Sequence, residues 1–272
     1  MNNFLINDLN EYHIDFVKRE DFERHVAETI KAYDATLNKI DLKRFNSNII
    51  DPIKLTFDKA LFKKTWNEII EMEISRQRDK TNTNAIGYFH QNLFRLIANC
   101  EVPDQGFDVI YTNTDGRKIY VELKNKYNTM NDAAQKDTAL KLYNQLLLDP
   151  DCIGCYLVEV IAPESRNIEW TKRLRDGTTV SNLKIRRVSI DKFYEIITGK
   201  SDAFYQICAQ LPITINKLIS NNEVRTVERD TVVEELRTKS PSLLQALYLL
   251  AFESYLGFEP VDVKIKKLLN NY

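Results

Sequence analysis

Several shortages in the 272-residue sequence each remove a class of protein. Four cysteines (Cys100, Cys152, Cys155, Cys208) are too few for a disulfide-stapled scaffold and suit a reducing compartment. One pair, "CIGC" at 152–155, has the spacing of half a zinc site or a redox motif. No second Cys or His pair lies near it, and it runs straight into the apolar "YLVEV", so it reads as small buried residues at the start of a strand. Three histidines (His13, His25, His90) are too scattered for a His-based metal centre. No apolar run approaches membrane-spanning length, and the opening "MNNFLINDLNEYHIDF" lacks a basic segment followed by an apolar one. An intracellular, cytoplasmic protein without membrane association is therefore expected. Seven glycines and seven prolines leave no linker and no repeat, which predicts one compact body. Net charge is scarce as well. A formal value of −1 neither announces nor excludes nucleic acid, because a basic face can be balanced by acids elsewhere.

What is present begins with enough apolar residues, 43%, to bury a substantial core. Phe57, Leu61, Phe62, Thr65, Trp66, Ile69 and Met72 recur at helical spacing and predict one long amphipathic helix over 57–76, ended by "DKTNTN". A second helix is expected from Asn84 to near Cys100 and Pro103, with Ile86, Phe89, Leu93 and Ile97 as its apolar stripe. "GFDVIY" at 106–111, the turn "TNTDGR" and the returning "KIYVELK" predict a hairpin. Next come a helix over Ala133–Leu148, with Leu140, Tyr143 and Leu147 on its buried side, and a strand "CYLVEVI" at 155–161. A short helix in "IDKFYEIITG" should stop at Gly199. A C-terminal helix in "KSPSLLQALYLLAFESYLG" should have Ser240 as N-cap, Pro241 in first position and Gly257 just past its end.

Chemistry concentrates in "IYVELKNKYNTMN", Ile119 to Asn131. As a strand it points Ile119, Val121 and Leu123 one way and Tyr120, Glu122 and Lys124 the other. Across the predicted hairpin, Asp108 falls within reach of Glu122 and Lys124. Two carboxylates so placed repel unless a cation lies between them, and all-oxygen ligation with water suits Mg²⁺. Glu122-Leu-Lys124 is the only E-x-K in the sequence, and D-x-K occurs at Asp41–Lys43 and Asp262–Lys264. The first of these follows a strand-poor region. The second sits near the C-terminus, with no room for a buttressing helix and strand. Taken alone, E-x-K suits the wet face of a hairpin equally well. The amide-rich tail "NKYNTMN" favours the catalytic reading, since Asn side chains contact phosphates and base edges. Seven positive residues against two negative ones between Arg166 and Arg187 add a basic patch. His90 and Gln91 lie on the helix leading into the hairpin, beside its apolar stripe, where His90 could equally cap a packed face. Glu159 is expected at the surface and Trp170 in the core.

"GFDVI" followed by "IYVELKNK" resembles the PD-(D/E)xK nuclease core. More closely, "NAIGYFHQNLF", "VPDQGFDV", "YVELKNKYNTMN", "YLVEVIA" and "RRVSIDKFYEIITG", spaced as here, resemble the small type II restriction endonucleases that cut GGNCC-type sites, over roughly Phe57 to Pro212. The resemblance implies an α/β (α+β) fold with a central mixed sheet flanked by helices. A single domain would comprise an N-terminal extension (1–56), the nuclease core (57–165) and a DNA-contact and C-terminal helical region (166–272). It implies Asp108 and Glu122 as Mg²⁺ ligands and Lys124 as the water-orienting base. A literal Pro-Asp stands at Pro103–Asp104, four residues upstream of Asp108, where Asp104 reads as a turn residue. Asn125, Lys126, Asn128 and Asn131, with Lys172, Arg173, Arg175, Arg186 and Arg187, are the expected DNA contacts; His90 and Gln91 are secondary candidates. The implied activity is Mg²⁺-dependent cleavage of duplex DNA at a short palindrome by a homodimer in the bacterial cytoplasm, paired with a cognate DNA methyltransferase. Two alternatives stand beside it: a repair or recombination nuclease of the same core, and a non-catalytic DNA-binding protein.

Overall fold

The computed structural model describes residues 12–220 and 228–252. The Gly257 stop signal and the Asp262–Lys264 tripeptide lie outside them. Two compact units form among the described residues, one from 12–31 with 84–220, the other from 32–83 with 228–252. In chain order the elements are α1 (Arg19–Leu37), α2 (Leu42–Phe45), α3 (Pro52–Phe62), α4 (Trp66–Leu93), β1 (Cys100–Glu101), β2 (Val109–Thr112), β3 (Lys118–Lys126), α5 (Asp132–Leu148), β4 (Cys152–Ile161), β5 (Asn167–Glu169), β6 (Lys172–Arg173), β7 (Thr179–Val180), β8 (Ile185–Ser189), α6 (Ile190–Thr198), α7 (Ala203–Ser220), α8 (Val232–Lys239) and α9 (Leu243–Phe252). The unit boundaries fall inside α1 and α4.

The helix expected over 57–76 is two helices. Lys63 adopts a left-handed conformation (φ 53°) that ends α3. Thr65 and Glu68 then form a capping box: the Thr65 N–H donates to Glu68 Oε2 at 2.8 Å and the Glu68 N–H to Thr65 Oγ1 at 3.3 Å. This restart re-phases the buried line to Ile69, Ile70, Glu73 and Ile74, and leaves Phe57, Leu61, Phe62 and Met72 exposed. "DKTNTN" does not break the chain but continues as helix, so α4 runs 28 residues. In the far half of α4 the expected stripe holds, with Phe89 and Leu93 buried, as is Ile97 beyond its end. The smaller unit packs Ile40, Phe45, Leu55, Ile69 and Ile70 against Leu236 and Leu247. There Arg78 pairs with Asp230 at 2.8 Å and donates to the Thr36 carbonyl at 2.7 Å. Helix α9 starts two residues later than expected. Ser240 closes α8, and the Ser242 carbonyl accepts from the Ala246 N–H at 2.9 Å.

The larger unit is built on a six-stranded mixed sheet in the order β1-β2-β3-β4-β8-β5, with a separate β6–β7 ribbon. The predicted hairpin is present, with Val109 opposite Val121 and Thr112 opposite Lys118. Its turn is fixed by Asn113, whose side chain accepts from the N–H groups of Asp115 and Arg117, and by Gly116 at φ 79°. β3 runs parallel to β4, and β4 to β8. The alternation read from the sequence holds: Ile119 and Val121 join one core with Val158, Val188, Phe94 and Phe193, while Tyr120 faces a second core with Cys155, Leu157, Ile185, Leu142 and Trp170. Cys152 and Cys155 are buried at the start of β4, as expected. Helix α5 covers the second face through Ala139 and Leu142. Of the expected buried side, Tyr143 packs against this core, whereas Leu140 and Leu147 are exposed. Helix α6 ends at Gly199 in the left-handed region, as predicted.

Glu159 was expected at the surface and is instead fully buried, at 0% exposure. Its carboxylate takes Arg166 at 2.6 Å and the Arg187 guanidinium. The two basic residues come from β8 and from the segment before β5, so an acid read from "YLVEV" alone gave no sign of its partners. The Nε atoms of both arginines are buried and find no acceptor among the described residues. His25 stacks on Phe89 at 4.9 Å between ring centroids, and its Nε2 lies 2.9 Å from the Phe89 carbonyl. His90 sits edge-on to Phe89. Burial, with a smaller contribution from His25, pulls the His90 pKa from 6.5 down to about 4.

Glu159→Ala strands two guanidinium groups and should destabilise the protein by about 3–5 kcal/mol in chemical denaturation. A His pKa depressed by folding means that the unfolded chain binds protons more readily. The stability conferred is therefore complete above pH 6.5 and is lost as pH falls toward about 4. Melting temperature measured across that window should drop, and His90→Gln should flatten the drop.

Candidate active site

The strand that carries E-x-K sits centrally in the sheet, paired on both edges, so its side chains are held in register by two ladders. Asp108 immediately precedes β2 rather than lying within it, but its N–H still donates to the Val121 carbonyl at 3.0 Å. That bond continues the ladder and sets Asp108 beside Glu122. The Asp108 carboxylate accepts the Leu123 N–H at 2.7 Å, and its carbonyl faces the Gln91 amide at 3.4 Å. Glu122 is only 8% exposed. One of its oxygens lies 3.5 Å from Lys124 Nζ, and the other takes the amine of Lys141, reaching down from α5. Lys141 Nζ also donates to the Gly106 carbonyl at 2.5 Å and lies 4.4 Å from the centre of the Phe107 ring.

Burial raises the Asp108 pKa. The Leu123 N–H opposes this, the Glu122 charge adds to it, and Lys124 and Lys141 oppose it. The cluster thus holds two carboxylates and two ammonium groups on the sheet face that α5 covers. Among the described residues no three His, Cys, Asp or Glu side chains gather as a metal cage. Two hard oxygen donors with room for water fit Mg²⁺, which takes one or two carboxylates and keeps several waters; they do not fit structural zinc.

Asp104, the literal acid of Pro103–Asp104, lies in a bend with its side chain 99% exposed, 3.8 Å from Arg95. Past the site, Asn125 is half-buried on β3, while Lys126 and Asn128 are exposed. Asn131 caps α5, accepting the Ala134 N–H at 2.8 Å. The basic stretch folds into β5–β8. Lys172 is tied to Asp132 at 2.8 Å and to Gln135 at 3.0 Å. Arg186 binds Asn167, and Arg187 binds Glu159 and lies 3.4 Å from the Tyr127 carbonyl. Arg173 and Arg175 are exposed, with Asp137 3.6 Å from Arg175. Gln91 therefore touches the Asp108 backbone, whereas His90 packs its ring edge-on against Phe89.

Lys141 has no counterpart among the residues picked out from the sequence. The apolar side expected for α5 pointed it away from the sheet. The long stem of Lys141 carries the amine from α5 to Glu122, 19 residues earlier on β3, a pairing that no local pattern encodes.

Residues 14–220 match the Eco47II restriction endonuclease family, a span that includes the whole sheet, α5 and both acids. The type II restriction enzyme Sau96I of Staphylococcus aureus is 31% identical over 223 residues, covering 79% of this chain and 84% of its own length. The type II restriction enzyme Eco47II of Escherichia coli is 31% identical over 185 residues, covering 65% and 77%. The chain belongs to the Eco47II restriction endonuclease family.

Proposed function

We propose that the protein is a Mg²⁺-dependent type II restriction endonuclease that hydrolyses duplex DNA at a short palindrome of the GGNCC type. The observation that carries the reading is the placement of Asp108, Glu122 and Lys124 on one face of the sheet, with α5 over that face and β4 paired beside β3. Asp108 and Glu122 would hold the metal. The chemistry such an ion supplies is the offset of negative charge on the attacked phosphodiester. Lys124, 3.5 Å from Glu122, orients the attacking water and adds positive charge where the phosphate charge grows. The Leu123 N–H and the Gln91 amide keep Asp108 in place.

DNA contact is assigned first to the exposed groups beside the site, Lys126 and Asn128, and to Arg173 and Arg175 at the β6–β7 ribbon. A two-stranded ribbon fits the major groove, and arginine suits guanine O6 and N7 in a GG/CC site. Asn125 is the half-buried member of this set. Asn131, Lys172, Arg186 and Arg187 spend their polar groups on contacts within the protein, and so contribute by fixing the elements that meet DNA. A palindrome cut on both strands calls for two symmetric sites, hence a homodimer. The same activity calls for a cognate DNA methyltransferase in a bacterial cytoplasm.

Lys124→Ala and Glu122→Ala should each slow Mg²⁺-dependent plasmid cleavage by at least about 10²-fold, while DNA retardation in gels is retained. Wild-type cleavage rates in either variant would refute the assignment. Arg173→Ala should weaken binding to the cognate site more than to unrelated DNA, roughly 5- to 150-fold in competition assays, the value of about 1–3 kcal/mol for a bidentate arginine–guanine contact.

A further inference from the structure

We propose that Lys141 is a resident counter-cation of the acid pair, held on Glu122 until a divalent ion displaces it. The inference rests on the reading of Asp108 and Glu122 as metal ligands. In the protein alone, Glu122 is withdrawn from water and touched by two lysines that differ in kind. Lys124 comes from the same strand, two residues away, at 3.5 Å. Lys141 comes from α5 and makes the closer contact, placing its amine on the carboxylate oxygen that a cation would take. An ammonium and a divalent ion compete for that carboxylate, because two positive charges so close repel each other.

Three further observations fit a cation built to move aside. The Lys141 amine already has a second acceptor, the Gly106 carbonyl at 2.5 Å, and an apolar ring face, Phe107, at 4.4 Å. Both remain available once Glu122 is given up, so release does not strand the charge. Lys141 also lines an open hollow with Phe107, Leu140 and Asn144, which leaves its stem room to swing. And Gly106 and Phe107 lead directly into Asp108, so the same amine tethers the segment that presents the second acid. Lys141 is a positioning residue in this account. It offsets the repulsion between the buried Glu122 and the half-buried Asp108 in the metal-free protein, and its ammonium sets how tightly the ion binds.

Mg²⁺ binding without DNA separates this from a purely structural role. Isothermal titration of the full chain with Mg²⁺ should give an affinity at least about 5-fold higher for Lys141→Gln than for wild type, the coupling of two competing ligands. The metal-free variant should melt lower than wild type and gain more on adding Mg²⁺. Lys141→Arg, which keeps the charge, should bind Mg²⁺ no more tightly than wild type. In unmutated protein, labelling of Lys141 by an amine-acylating reagent, read by mass spectrometry, should increase as Mg²⁺ is added. Equal or weaker Mg²⁺ binding by Lys141→Gln, or labelling that ignores Mg²⁺, would overturn the displacement while leaving the metal site intact. Absence of Mg²⁺ binding in both wild type and Lys141→Gln would overturn the metal assignment and this inference together.

Discussion

A carboxylate taken out of water has to be given hydrogen bonds or positive charge, and one face of this sheet carries two that are buried, Glu122 and Glu159, with the half-buried Asp108 beside them. Much of the surrounding structure answers that demand. The hairpin register supplies the Leu123 N–H to Asp108, α5 supplies Lys141 to Glu122, and β8 supplies Arg187 to Glu159. The parallel β3–β4 ladder sets Lys124 opposite Glu159, which keeps that acid close to the other two.

The acids are satisfied in different ways, and the difference divides structure from chemistry. Glu159 is saturated by two guanidinium groups whose side chains are themselves 14% and 21% exposed. A pair of that kind has nothing to exchange with solvent, and it fixes the strands on either side. Glu122 is held by amines at the ends of flexible stems, one of them beside an open hollow. Ammonium groups are compact and mobile where guanidinium forks are rigid, so lysine suits a site that must trade one cation for another.

How much of this was readable in the sequence depends on the range of the interaction concerned. The hairpin, its turn and the two-sided alternation of β3 are set by near neighbours, and they follow from period-two patterning and a turn held by Asn113 and Gly116. The placement of the acid pair came with them, whereas the mixed sheet was implied by the family resemblance. Helix phase was less legible. The capping box of Thr65 and Glu68 turned an apparent apolar residue into a helix start, and the buried line moved with it. On α5, Leu140 and Leu147 outrank Ala139 in hydrophobicity, yet the small alanine is what lets the helix approach the strands. Lys141 was hidden by distance along the chain, because its partner Glu122 lies 19 residues earlier. The burial of Glu159 and the capture of Arg187 rest on partners 7 and 28 residues away, brought together only by sheet topology, and no local pattern encodes them.

The central claim is that these paired acids and lysines serve sequence-specific hydrolysis of DNA. Digestion of DNA of known sequence, with every fragment end sequenced, tests it most directly. With Mg²⁺ present, all ends should map to one short palindrome of the GGNCC type, cut symmetrically on both strands, and no cleavage should occur once the ion is chelated. Ends scattered over unrelated sequences, or intact DNA in the presence of Mg²⁺, would contradict the account.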